Sequence, residues 1–114
     1  MSFEPREYLR HILAEAIYLL EHSRNVSRSE FLESETLRRA FVRSLEIIGE
    51  AAKRVPDDVR QRYSAVDWRA MAGLRDRLIR GYFGIDHDLV WDVIVNKVPE
   101  LRREMERILG QNAP

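Results

Sequence analysis

Cysteine is absent from this sequence, which excludes a disulfide framework and any chemistry that uses a thiolate. Lysine is scarce, because only Lys53 and Lys97 among the 19 basic residues are not arginine. No apolar run approaches the roughly 20 residues that a membrane-spanning helix needs. Residues 1–7 are largely charged or polar and lack the apolar core of a secretory signal. We therefore expect a cytoplasmic protein without a membrane segment.

The charges of the chain balance, so the whole molecule has no net electrostatic attraction for nucleic acid. Their distribution is uneven, however. Between residues 60 and 80, six arginines stand against only two aspartates. The planar guanidinium group binds phosphate well, which makes this segment a candidate phosphate-binding surface. A solvated helix face would give the same pattern, and composition alone leaves both interpretations open.

Apolar side chains recur at helical spacing through most of the first half of the chain. One stripe covers residues 8–20, and a second covers residues 37–55 on what we expect to be the longest helix. Ser27 followed by Glu30 has the spacing of a capping box and is predicted to begin that helix. Gly49 within the second stripe indicates that another helix approaches closely there.

The second half of the chain is also predicted to be helical. Asp67 is a candidate N-cap for a helix that would end at Gly81 or Gly84. Pro99 either kinks one long helix or opens a new one. Short loops between amphipathic helices predict an all-α fold, an antiparallel bundle of four or five helices. We expect residues 1–114 to form one domain.

The segment 71–86 carries the most informative motif. Arg75 is followed by Asp76, then by Arg80 five residues after Arg75 and by Tyr82 two residues later. This pattern resembles the signature of HepT-like proteins of the HEPN ribonuclease superfamily. In that signature an arginine, usually followed by asparagine, precedes a histidine by five residues, and a tyrosine lies two beyond the histidine. Arg75 and Tyr82 match, whereas Asp76 replaces the asparagine and Arg80 replaces the histidine.

Two flanking regions extend the resemblance over nearly the whole chain. Residues 47–53 resemble the long-helix motif of the family, and residues 90–94 and 98–101 resemble its C-terminal region. The core motif is short and would be weak alone. Its combination with both flanks, in the right order and at the right spacing, is more specific.

The resemblance implies a metal-independent endoribonuclease toxin that acts on RNA, needs no cofactor and forms a homodimer in which the two motifs face one cleft. It also implies a type VII toxin–antitoxin pair, in which an MntA-like nucleotidyltransferase AMPylates the motif tyrosine. The residues that it assigns to the site are Arg75, Arg80 and Tyr82 as catalytic, Tyr82 as the modified residue, and Asp76, Arg77 and Glu50 as RNA-binding or supporting.

The arginine at position 80 changes the chemistry that is possible. Cleavage of RNA by its 2′-hydroxyl needs proton transfer and stabilisation of the charge on phosphorus. Histidine transfers protons near neutral pH, whereas arginine stays charged because its pKa exceeds about 12. Arg75 can hold the phosphate, and Arg80 can add charge but cannot readily act as a base. We expect a chain that keeps the fold and partner interface of the family but has reduced ribonuclease activity.

An ideal helix would place positions 75 and 82 on one face, within about 20° of each other, and position 80 about 140° from position 75. Arg80 would then join Arg75 only if the helix loosens near Gly81 or if a second subunit completes the cleft. Both are consistent with a site shared across a dimer.

A different class of function also fits the departures at positions 76 and 80. A non-catalytic helical module would dock a nucleotidyltransferase or bind nucleotide with the same bundle. Asp86 and Asp88, with His87 between them, could bind a metal, although helix capping by aspartate is commoner. His87 could also stand in for the missing motif histidine, five residues beyond Tyr82.

Three aromatic side chains have two interpretations each. Trp68 and Trp91 could stack on RNA bases or pack in the core or at a dimer interface. The phenol of Tyr82 could be a buried anchor, and only the resemblance makes it a modification site.

Restoring histidine at position 80 tests the account of this motif. Arg80→His should raise RNA cleavage by about 100-fold or more, since a positioned acid–base group contributes about that factor. The measurement is the cleavage rate of a labelled RNA by the two chains at equal concentration. Equal rates would contradict the assignment of position 80 to proton transfer.

Overall fold

The computed structural model describes residues 4–79 and 84–111. Eight helices follow one another in these ranges: α1 (Pro5–Ser23), α2 (Arg28–Glu33), α3 (Glu35–Arg54), α4 (Asp57–Arg62), α5 (Trp68–Ala72), α6 (Leu74–Leu78), α7 (His87–Asn96) and α8 (Val98–Gln111). An isolated antiparallel bridge joins Ile79 to Ile85. The predicted all-α class is confirmed. Among the described helices, none combines the length and the apolar character needed to cross a membrane.

Helix α1 lies between α3 and α8 and runs antiparallel to both. The hydroxyl of Ser44 on α3 donates to the carboxylate of Glu15 at the middle of α1, at 2.8 Å. The guanidinium of Arg6, at the start of α1, donates to the carbonyl of Leu109 near the end of α8, at 3.3 Å. Long helices packed antiparallel agree with the predicted bundle, and α7 joins them through its contacts with α8.

The predicted longest helix is interrupted, because Ser34 divides it into α2 and α3. The capping box of Ser27 and Glu30 forms as expected. Ser34 then adopts extended backbone angles, and its hydroxyl accepts a hydrogen bond from the amide of Leu37 at 3.1 Å. A serine that can cap a new helix competes with continuation of the old one. The expectation of one helix starting at Ser27 was therefore wrong.

The helix that begins after Asp67 ends earlier than predicted. Asp67 caps α5 through the amide of Ala70 at 3.1 Å, but Gly73 separates α5 from α6. Helix α6 then ends at Leu78, whose carbonyl accepts a hydrogen bond from the amide of Asp86 at 2.7 Å. The predicted ends at Gly81 and Gly84 were wrong, because the backbone of residues 78 and 79 pairs with that of residues 85 and 86 instead of continuing the helix.

Pro99 opens a new helix rather than kinking a long one. Helix α7 ends at Asn96, and Lys97 is its C-cap. Helix α8 begins at Val98, so Pro99 occupies the first turn, where the hydrogen-bond donor that proline lacks is not needed.

Aromatic rings join α2, α3 and α7 in the core. The ring of Phe31 stacks on that of Phe41 with centroids 5.5 Å apart, and on that of Trp91 at 5.3 Å. Phe31 and Phe41 are completely buried. Because one short helix supplies the central ring of three, α2 is tied to both of its neighbours despite having only six residues.

Gly49 sets the distance between α3 and α5, as the sequence suggested. A Cβ at this position would lie 3.1 Å from the carbonyl oxygen of Met71 and 3.9 Å from Cβ of Leu74. The first distance is too short for a relaxed contact with backbone. A side chain at position 49 would therefore require the backbone of α5 to move away from α3 by a few tenths of an ångström.

A large side chain at position 49 should separate these helices. Gly49→Leu is expected to lower the free energy of unfolding by about 1–3 kcal/mol, the usual effect of overpacking. Gly110→Leu is the matched control, because a Cβ there meets no atom within 4 Å. Chemical denaturation of both variants measures the difference. Equal stabilities of the two variants would contradict the close contact at Gly49.

Candidate active site

Arg75 lies on the surface of α6, beside the exposed side of α3. Its Nε is 3.9 Å from a carboxylate oxygen of Glu46, and its side chain is 62% exposed. At this distance and exposure the ion pair is loose and contributes little to stability. The guanidinium therefore keeps most of its five donors available for another acceptor.

Helix α6 is short, and two leucines hold it in place. Leu74 and Leu78 are buried among the core residues, whereas Arg75, Asp76 and Arg77 between them are exposed. A spacing of four residues puts both leucines on one face of a single helical turn. The three charged residues are thus exposed to solvent on a helix that the two buried leucines hold against the core.

Arg75 and Arg77 face different parts of the surface. Arg77 lines a cleft of about 400 Å³. Apolar side chains line the same cleft, together with Lys97 and Glu100. Arg75 instead approaches Glu46. Two residues apart on a helix correspond to about 200°, which accounts for the divergence. The structure therefore does not bring these two arginines together.

Glu46, which sequence reasoning missed, is the acidic residue near Arg75. Glu50, proposed from the sequence as a supporting residue, instead lies 3.7 Å from the amino group of Lys53. Both glutamates belong to α3 and are one turn apart. The sequence places both glutamates on one face of α3. Which of them lies near Arg75 depends on how α6 is positioned along α3, and in this structure it is Glu46.

Arg80 and Tyr82 lie outside the described residues. The backbone beside them still corrects one expectation. Helix α6 ends at Leu78, and Ile79 is extended and pairs with Ile85. The angles expected for positions 75, 80 and 82 on one ideal helix therefore do not apply.

The segment Asp86 to Asp88 has a structural role at the start of α7. Asp86 accepts a hydrogen bond from the amide of Leu89 at 3.1 Å, which caps the helix. Asp88 forms an ion pair with Arg28 of α2. Within residues 4–79 and 84–111, no three histidine, aspartate or glutamate side chains are grouped so as to hold a metal ion. Asp86 therefore caps α7, and Asp88 links α7 to α2.

The tryptophans pack inside the protein. Trp68 is 6% exposed, and its indole N–H donates to the carbonyl of Tyr63 at 3.0 Å. Trp91 is partly buried against Phe31. The core interpretation is confirmed for Trp68. One face of the Trp91 ring stacks on Phe31 within the protein.

The comparisons with known proteins agree with the motif. A family model described as "Ribonuclease HepT-like" matches residues 12–108. The chain is 46% identical to "Putative RNase TTE0752" of Caldanaerobacter subterraneus subsp. tengcongensis, over 92% of this chain and 94% of that protein. It is 38% identical to "Probable ribonuclease HepT" of Thermococcus cleftensis, over 95% of this chain and 98% of that protein. No solved structure matches the chain significantly.

The chain belongs to the HepT-like ribonuclease family, since the family model covers most of it and relatives match over nearly their full length. This membership supports a ribonuclease function.

His87, at the start of α7, packs against α2. Its ring and that of Phe31 pack edge to face, with centroids 6.4 Å apart, and its buried Nδ1 has no hydrogen-bond partner among the described residues. Burial lowers the pKa of His87 below 6.5, and the nearby charge of Arg38 lowers it further. Asp86 and Asp88 oppose this effect only in part.

The lowered pKa predicts a loss of stability in mild acid. The unfolded chain binds this proton more readily, so the contribution of His87 is fully present above pH 6.5 and declines as pH falls through that value. His87→Phe, which keeps a ring against Phe31, should lose less stability than the natural chain between about pH 8 and pH 5. Urea denaturation at both pH values measures this. An unchanged decline in His87→Phe would contradict the prediction.

Proposed function

We propose that this chain is the endoribonuclease toxin subunit of a toxin–antitoxin pair, with activity weakened by Arg80. Family membership supports the ribonuclease part of the proposal. The observation that carries it is the exposed guanidinium of Arg75, anchored on α6 and only loosely paired with Glu46. A cation in that state can exchange its carboxylate for a phosphate at little energetic cost.

The proposed reaction uses the RNA's own 2′-hydroxyl as nucleophile. Its oxygen forms a bond to the adjacent phosphorus, the bond from phosphorus to the 5′-oxygen breaks, and a 2′,3′-cyclic phosphate results. One proton leaves the 2′-oxygen and one reaches the departing 5′-oxygen. Arg75 would stabilise the negative charge that develops on the phosphoryl oxygens. Arg80 adds charge but does not readily exchange protons at neutral pH, which is why we expect slow cleavage.

We further propose a homodimer in which two motifs share one cleft. Ile79, directly before position 80, is an apolar side chain that is 39% exposed in the single chain. A second subunit that covered it would also bring another Arg75 to the same cleft. An apolar contact beside charged groups is a common arrangement in protein interfaces.

The proposed antitoxin is a nucleotidyltransferase that modifies Tyr82. The phenol oxygen would attack the α-phosphorus of ATP and release pyrophosphate, leaving an adenylate on the tyrosine. An adenylate carries negative charge next to the motif arginines. It would therefore compete with the RNA phosphate for the same cations, which accounts for neutralisation of the toxin.

The second candidate function is a binding module without catalysis. The arginine at the histidine position favours it, because two cations without a base form a site that binds phosphate without cleaving it. Such a module would bind nucleotide or its nucleotidyltransferase partner through the same surface.

Removing the guanidinium of Arg75 tests the proposed function. In the Arg80→His background, Arg75→Ala should lower the cleavage rate by about 100-fold or more, as is usual when a donor to the reacting charge is lost. The free energy of unfolding should change by less than about 1 kcal/mol, because the pair with Glu46 is exposed. Arg62→Ala, on the exposed surface of α4, is the control. Undiminished cleavage by Arg75→Ala would exclude this arginine from the reaction.

Co-production with a nucleotidyltransferase tests the partner. If the neighbouring reading frame encodes one, the intact mass of the chain should increase by one or more adenylates. Tyr82→Phe should show no such increase, because the acceptor oxygen is missing. An adenylate on Tyr82→Phe, or none on the natural chain, would contradict the assignment of Tyr82.

A further inference from the structure

A polar groove of about 300 Å³ runs between α1 and α3, apart from the motif on α6. It is lined mainly by Tyr8 and His11 of α1 and by Arg43, Ile47, Glu50 and Arg54 of α3. Intervals of four, three and four residues keep the α3 side chains on one face of the helix. The groove is therefore a continuous strip along α3.

Two arginines give this strip its positive charge. Arg43 and Arg54 are exposed, and neither forms an ion pair with any residue in the described part of the chain. Arg39 on the same helix is paired with Glu35 at 2.7 Å. The carboxylate of Glu50 also lines the groove between them, and its exposed pair with Lys53 at 3.7 Å is loose, so the groove carries two arginines against one glutamate. Two guanidinium groups thus remain available at either end of the groove.

The groove adjoins the site of Arg75. Glu46, which Arg75 approaches, lies one helical turn from both Arg43 and Glu50. A phosphate held by Arg75 would therefore lie at the edge of the same surface of α3. Eleven residues separate Arg43 from Arg54, or about 16 Å along the helix axis. A chain of phosphates that passes Arg75 could contact Arg43 on one side and Arg54 on the other.

We infer that the α1/α3 groove binds the backbone of single-stranded RNA next to the phosphate held by Arg75. This inference rests on the proposed ribonuclease function. Arg43 and Arg54 hold two phosphates, and the ring of Tyr8, which lines the groove, lies beside the bases between them. A cationic groove with an aromatic side chain is the usual arrangement for sequence-tolerant binding of a single strand.

Charge favours RNA over a second copy of the chain as the occupant. An interface between identical copies would bury two unpaired arginines from each chain, and buried charges without partners are costly. The aliphatic side chains that line the groove, Ile47 and Ala51, offer little apolar surface in return. A polyanion instead neutralises both arginines and releases its counterions.

The salt dependence of binding tests this inference. The probe is a 12-nucleotide 2′-O-methyl RNA, which lacks the nucleophile and cannot be cleaved. Its affinity for the full chain is measured by fluorescence anisotropy across a salt series. The slope of log affinity against log salt should fall by about 0.7 for each of Arg43→Ala and Arg54→Ala, the value for one phosphate contact on a single strand. The double variant should lose about 1.4 in slope and about tenfold in affinity.

Arg103→Ala is the matched control, an exposed arginine of α8 that does not line the groove, and its slope should stay unchanged. Circular dichroism confirms that each variant is folded. An unchanged slope in the folded double variant overturns the inference. So does a change in its oligomeric state by sedimentation, since the groove would then be an interface between copies.

Cleavage of ordinary RNA separates this inference from the proposed function. If Arg80→His cleaves RNA but the double variant keeps the natural slope, the groove inference fails and the ribonuclease stands. If no variant cleaves RNA but the slope falls as expected, the groove binds RNA and the chain is a binding module.

Discussion

The close contact of α3 with α5 and α6 is the constraint on which the rest of this structure depends. Gly49 allows this contact without displacement, because a Cβ at that position would lie only 3.1 Å from the carbonyl oxygen of Met71. Leu74 and Leu78 then fix α6 in the core, and Arg75 between them reaches the carboxylate of Glu46. A shift of α6 by a fraction of a helical turn would direct that guanidinium elsewhere, so the packing of the core determines the position of this side chain.

Helix α3 has a buried face that stabilises the fold and an exposed face that carries charged side chains. Its buried face carries Phe41 and other core side chains, whereas its exposed face carries Arg43, Glu46 and Glu50. The first face supplies the large free-energy gain of apolar burial. The second contributes little to stability, because exposed ion pairs are weak in water. That weakness would let an arginine on this face exchange a carboxylate for the phosphate of the proposed substrate.

Local signals predicted the helical class and several caps, because each depends on residues near one another in the chain. The breaks at Ser34 and Gly73 were missed, since helix continuation there competes with capping and with tertiary contacts. The choice of Glu46 rather than Glu50 beside Arg75 was also missed. It depends on the register between two helices, which a single sequence does not contain.

The chemistry of the cut ends tests the central claim most directly, that an arginine-held phosphate is attacked by the RNA's own 2′-hydroxyl. RNA is incubated with Arg80→His and excess chelator, and the fragments are analysed by mass spectrometry. The account predicts 2′,3′-cyclic phosphate on one fragment and a 5′-hydroxyl on the other. Fragments with a 5′-phosphate and a free 3′-hydroxyl would contradict it, because a water molecule would then be the nucleophile.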